Sequence, residues 1–342
     1  MNVFKSKSGT SFYIIHALIA GICWLMIICI GLAVGSQSIS IKDIFLYPES
    51  HALEKLIVFD LRLPRLLLAS LCGMLLAGAG CVFQGFFRNP LADSGIIGIS
   101  SGATLGAVLS GLLPISIPSV LHMSPTIACA FIGALSCAMA VYFLSFRYRG
   151  THAASIMLLT GTALATFISA IVSVIIIVRY NDLYKIYLWT LGSFNARGWN
   201  EIIIIIVPAI ISFGLLFLCT RLLDVLSSGE KSAQSLGLDI HKTRLLALVS
   251  GSLACACAVS VAGTIGFIGL IAPHIARKLY GEGHRIVLPF SMLWGAILLS
   301  LSDTLARSLT APAEIPVGIV TAIMGVPFFI IIIQKKKGFV GE

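Results

Sequence analysis

Few residues in this chain have the type and spacing to do chemistry. Gly98-Ile99-Ser100-Ser101-Gly102 fits GxSxG, the pattern of a serine nucleophile on a sharp turn. Such an elbow needs a strand before the serine and a helix after it. Here both flanks are apolar and glycine-rich, so an intramembrane hydrolase with His274 as a distant base requires a strand that the composition does not suggest. Asp303 and Arg307 stand four residues apart and can pair on one helix face. Ion-coupled carriers bury acids or histidine at mid-membrane. No acid in this chain falls clearly at mid-depth of an apolar run, which points to transport powered from elsewhere. The sequence has no HExxH, no GxxxxGKS/T and no GxGxxG between a strand and a helix, so ATP is not bound here in the usual way. Its nine cysteines all lie in apolar runs without a CxxC pair. They read as small packing residues, neither disulfides nor metal ligands.

Composition says what must hold these residues. Of 342 residues, 58% are hydrophobic and 11% charged, with a mean hydropathy of +1.02. Ordinary soluble proteins carry about 25% charged residues. The chain therefore reads as one all-α, polytopic membrane domain over residues 1–342. Its net charge of +9 is not gathered into basic clusters interleaved with aromatics, so nucleic-acid binding is not expected.

The stretch Leu61–Gly111 sets the pattern for the rest. Arg62, Pro64 and Arg65 open an apolar run, a polar break follows at Gln84–Ser94, and a glycine-rich apolar run closes it. A bilayer-spanning helix needs about 20 apolar residues. On that basis about ten spans are predicted, at 12–35, 63–83, 93–113, 125–146, 152–178, 199–221, 245–264, 266–283, 286–306 and 314–334. The first apolar run is too long for a cleavable signal and reads as a retained span. With the N-terminus in the cytoplasm, most of the 23 lysines and arginines fall inside, Lys5, Lys7, Arg147 and Arg149 among them. Both termini are then cytoplasmic. Arg62, Arg65 and Arg307 fall outside, each at the edge of a span.

Two polar connections are long. Ser36–Leu61 lies outside, and the cytoplasmic loop 222–243 is the longest on its side. Within the latter, Glu230–Leu236 is predicted to form a short helix ended by Gly237. Small residues recur every four positions, as at Gly98, Gly102, Gly106 and at Ala69, Gly73, Ala77, a spacing that lets helices approach closely in lipid. A faint internal echo links Phe83-x-Gly85, Arg88 and Pro90 with Phe267-x-Gly269, Pro273 and Arg277, as an inverted repeat would.

The segments RLPR, GxxxQGxFRNPLADSGIIGISSGA, GFIGLIAPHIAR and APAEIPVGIVTAIMGVPFF together resemble the permease subunits of FecCD-type ABC importers, over Arg62 to Phe329. That family carries iron–siderophore complexes, haem and cobalamin. The resemblance implies a multi-pass permease of the bacterial inner membrane, paired with a second permease protomer as a homodimer or pseudo-dimer. Two cytoplasmic ATP-binding subunits and an extracytoplasmic substrate-binding protein are the further partners, with membrane lipid around. No cofactor is implied on this chain, ATP being used by the partner subunit, and the chain is not itself an enzyme. Residue by residue, Gly229, Glu230, Ala233, Leu236 and Gly237 match the segment that couples to the ATPase, with Lys231 where the family often has an acid. Asn89 and Leu91, with Ala153, Ala154 and Ser155, match the cytoplasmic gate, and Arg62, Arg65 and Arg307 match arginines that meet acids of the binding protein. An ion-coupled secondary transporter is the alternative, separated by whether transport needs ATP. Arg179, Tyr180, Tyr184 and Tyr187 stand at the outer end of span five, as an entrance or as an interfacial belt.

Overall fold

The computed structural model describes residues 10–35, 51–93, 95, 97–112, 123–145, 153–178 and 183–337. The described residues form helices α1 (Thr10–Ala33), α2 (Ala52–Leu56), α3 (Leu63–Phe87), α4 (Ile99–Leu112), α5 (Pro125–Ser145), α6 (Ala153–Val178) and α7 (Leu183–Thr190). They continue with α8 (Trp199–Ser227), α9 (Glu230–Ser235), α10 (Ile240–Ala262), α11 (Ile268–Tyr280), α12 (His284–Ser308) and α13 (Val317–Lys337). No strand occurs among the described residues.

Among the described residues seven helical stretches are long and apolar enough to cross a bilayer, and α4 and the part Val317–Ile331 of α13 are shorter apolar stretches. The predicted eighth span is the 13-residue α11. At about 1.5 Å per residue it covers about 20 Å of a hydrocarbon core about 30 Å thick. The third begins only at Ile99, because the described residues between α3 and α4 form turns and non-helical backbone. The second is longer than predicted. Residues 52–61, read as part of the polar connection Ser36–Leu61, are helical and run through Arg62 straight into α3. Pro64 accounts for their form: it has no N–H for the Asp60 carbonyl, and its ring crowds that oxygen. The chain widens into a π-helical turn at Ile57–Arg62, with the N–H of Leu63 reaching back to the carbonyl of Val58.

Helix α3 is the axis of the molecule. It is buried along most of its length and packs on α8, α10, α11 and α12. The small-residue stripes make this possible. A Cβ on Gly73 would strike the Gly295 carbonyl in α12, and one on Gly80 would strike the Gly269 carbonyl in α11. Gly102 and Gly106 of α4 press in the same way on Gly133 and Cys129 of α5. Outside this core, α1 exposes Ile14, Leu18 and Ile22, α6 exposes Leu159, Phe167 and Ile177, and α8 exposes Ile203, Val207 and Ile210. Apolar surface on this scale suits lipid, not water.

Candidate functional site

Three groups of sequence-predicted residues occupy two ends of the helix bundle. At one end α8 stops at Ser227, two turns beyond the predicted span, and the segment Gly229–Gly237 follows. Gly229 and Gly237 hold φ of 115° and 83°, conformations that a side chain would strain, and between them Glu230–Ser235 forms α9. The predicted short helix is therefore present. Glu230 bonds to Arg244 of α10 at 2.8 Å, pinning the segment to the bundle. Ala233 is fully buried, whereas Leu236 is 72% exposed. Leu236 is thus an apolar side chain on the outer face of the segment, while Ala233 fixes the segment to the body beneath it. Asp239 then caps α10, accepting from the N–H of Lys242 at 3.1 Å. That bond holds its carboxyl below the usual carboxylate range.

The turn Asn89–Leu91, on the inner side in the predicted topology, lies at the same end. Arg88 closes α3 in the left-handed conformation, φ 48° and ψ 35°. The N–H of Asn89 reaches back to the Gln84 carbonyl at 3.2 Å, the bond that seals such a helix end. The Asn89 side chain accepts from the N–H of Leu91 at 3.0 Å, and Leu91 is exposed. These bonds make Asn89–Leu91 a rigid turn. Ala153, Ala154 and Ser155 form the first turn of α6, where Ser155 is exposed and Ala154 packs against the core.

The two echoing segments meet each other near this turn. Buried Gln84 donates to the carbonyls of Gly269 (3.2 Å) and Leu270 (3.4 Å) and accepts from Arg277. Sequence reasoning gave Gln84 no role. The recurrence of its neighbours Phe83 and Gly85 at Phe267 and Gly269 was the available signal.

At the far end of α3 the structure corrects the setting of the three arginines. They were placed at the rim of the spans, but each is buried within the protomer, at 5% exposure for Arg62, 8% for Arg65 and 4% for Arg307. Arg65 grips fully buried Asp303 through Nε and Nη2, at 3.1 and 2.9 Å, and gives Nη1 to Glu314 at 2.9 Å. Arg307 Nε lies 3.3 Å from Asp303, the predicted one-turn pair, and Nη2 donates to the Gly31 carbonyl at 3.1 Å. Arg62 donates to the carbonyls of Leu32 (2.7 Å) and Ala33 (3.2 Å), which have no partner within α1. The cluster thus ties α1, α3 and α12 together around one buried carboxylate. It forms one wall of a cleft of about 630 Å³ shared with Arg197, Trp199, Glu201 and Glu314.

The remaining candidates fall apart from these sites. Gly98 adopts φ 78°, Ile99 already starts α4, and no strand precedes Ser100 among the described residues, so the hydrolase elbow is absent. His274 sits edge-on to Phe328. Tyr184 and Tyr187 are exposed on α7, while Arg179, Tyr180, Lys5, Lys7, Arg147 and Arg149 lie outside the described residues.

Known proteins resemble this chain over most or nearly all of its length. The haemin transport system permease protein HmuU of Yersinia pestis is 38% identical over 318 residues, 92% of this chain and 93% of that one. The cobalamin import system permease protein BtuC of Halobacterium salinarum is 38% identical over 283 residues, 83% of this chain and 74% of the relative. A solved structure of an inward-facing ABC transporter assigned to the metal-chelate type superposes with a TM-score of 0.82 at 33% identity, covering 93% of this chain and 98% of that one. The profile of the FecCD transport family matches residues 23–335, and the chain belongs to that family.

Proposed function

We propose that the chain is the transmembrane permease subunit of a binding-protein-dependent ABC importer that moves an iron–siderophore, haem or cobalamin-type cargo into the cytoplasm. It crosses the bacterial inner membrane ten times with both termini inside, as one domain, and pairs with a second permease protomer as a homodimer. Two ATP-binding subunits beneath supply the energy, and a substrate-binding protein docks above. Asn89, Leu91 and Ala153–Ser155 form the gate. Arg62, Arg65 and Arg307 receive acidic groups of the binding protein, with the Nη1 edge of Arg65, now on partly exposed Glu314, as the point of exchange. Membership of a transport family supports this reading, as does the lack of an ATP-binding motif.

One observation carries it. Gly229–Gly237 is an ordered segment where a few residues would suffice to join two helices, and its exposed face presents Leu236. An exposed apolar side chain of this kind gains from being covered by a partner. The test is co-purification of an ATP-binding subunit with the detergent-solubilised permease. Leu236→Asp is expected to abolish co-purification while leaving permease yield and melting unchanged. Undiminished co-purification with Leu236→Asp would remove the coupling assignment.

A further inference from the structure

The coupling segment and the inner turn meet at one atom, the carbonyl oxygen of Leu226. It accepts the N–H of Gly229, the residue that opens the segment, at 3.1 Å. It also accepts Nη2 of Arg88, the residue that opens the turn, at 2.6 Å. Leu226 lies in the last turn of α8, where carbonyls lack partners within the helix and carry partial negative charge. A guanidinium is a favoured partner for such an oxygen. Arg88 reaches it from a backbone with φ 48°, a helix-end position that glycine fills with least strain. An arginine kept there points to work for its side chain that glycine cannot do.

Both neighbours of this contact are stiff. The turn is held by the Asn89 side chain on the Leu91 N–H, and the end of α8 is held by Asp224, which accepts from the backbone N–H (2.7 Å) and Nδ1 (2.8 Å) of His284. Between them, Arg88 supplies a direct polar link. We propose that Arg88 is a positioning residue that ties the turn Asn89–Leu91 to the end of α8, so that displacement of Gly229–Gly237 moves the turn. This rests on the permease reading above.

The experiment uses the permease with its ATP-binding subunits in nanodiscs. Exposed native cysteines are replaced and a spin label is placed through Leu91→Cys. The distance between labels on the two protomers is measured without nucleotide and with ATP plus vanadate. Arg88→Gly keeps the left-handed backbone and relieves its strain while removing the side chain that carries the guanidinium, so the variant is expected to melt close to the parent. The nucleotide-driven distance shift is expected to fall by at least half in Arg88→Gly and to be largely retained in Arg88→Lys, which can still donate to the carbonyl. A full shift in Arg88→Gly would overturn the link, leaving Arg88 as a helix cap. If the parent protein shows neither a shift nor ATP hydrolysis, the permease reading falls, and this proposal with it.

Discussion

Asp303→Asn tests whether the buried arginine cluster holds the helices together. The Asp303 side chain is 0% exposed and meets Arg65, whose side chain is 10% exposed, and Arg307, at 5%. Removing one partner of a buried ion pair costs about 3–5 kcal/mol, because a charge stays buried without compensation. Here two guanidiniums lose their shared carboxylate, and only Arg65 retains another, Glu314. The Glu314 side chain is 27% exposed, so Glu314→Gln resembles the loss of a surface pair, worth about 0–1 kcal/mol. The gap of at least about 2 kcal/mol is more than tenfold in the unfolding equilibrium, at about 1.4 kcal/mol per factor of ten. Unfolding of the purified protein in bicelles, driven by added dodecyl sulfate, resolves that difference. Replacing the whole triad at once, with Asp303→Leu, Arg65→Met and Arg307→Met, is expected to recover much of the stability lost in Asp303→Asn. Equal and small effects of Asp303→Asn and Glu314→Gln would refute the reasoning, since the cluster would then be as well solvated as a surface pair.

The glycine contacts of α3 give a second expectation. Gly73→Val drives a side chain into the Gly295 carbonyl and should cost about 1–3 kcal/mol or more, while Gly214→Val in α8, with nothing within 4 Å of its Cβ, should cost far less in the same unfolding assay. The gate gives a third. With native cysteines replaced, Ser155→Cys is expected to cross-link the two protomers in the resting state and to block transport, and failure to cross-link at any stage of the ATP cycle would place the gate elsewhere.

The features legible in the sequence are local ones. The short helix α9 was readable because Gly229 and Gly237 bracket it, and the Asp303–Arg307 pair because four residues make one helical turn. The small-residue stripes announced close crossings but not their partners, since Gly73 and Gly295 are brought together only by the fold. Residues 52–61 were read as part of the polar connection Ser36–Leu61, where Glu54, Lys55 and Asp60 interrupt the apolar residues. Their helix is continuous with α3, and Arg62 spends its charge on the end of α1. The burial of Arg65 was out of reach for a related reason. Its partner Asp303 is 238 residues away, and hydropathy cannot tell an arginine at the rim from one paired inside. Span boundaries were hardest to read at α11, where the apolar residues around Pro273 suggested a run over 266–283 and the helix takes 13 of them, Ile268–Tyr280.

The most direct test of the permease assignment is uptake by proteoliposomes holding this chain and its ATP-binding subunits, with a ferric siderophore, haem or cobalamin presented on its binding protein. A permease of an ABC importer gives uptake that requires ATP hydrolysis, persists when ionophores collapse all ion gradients, and disappears when the ATP-binding subunit is omitted. Uptake by the chain alone, driven by an ion gradient and indifferent to ATP, would contradict it.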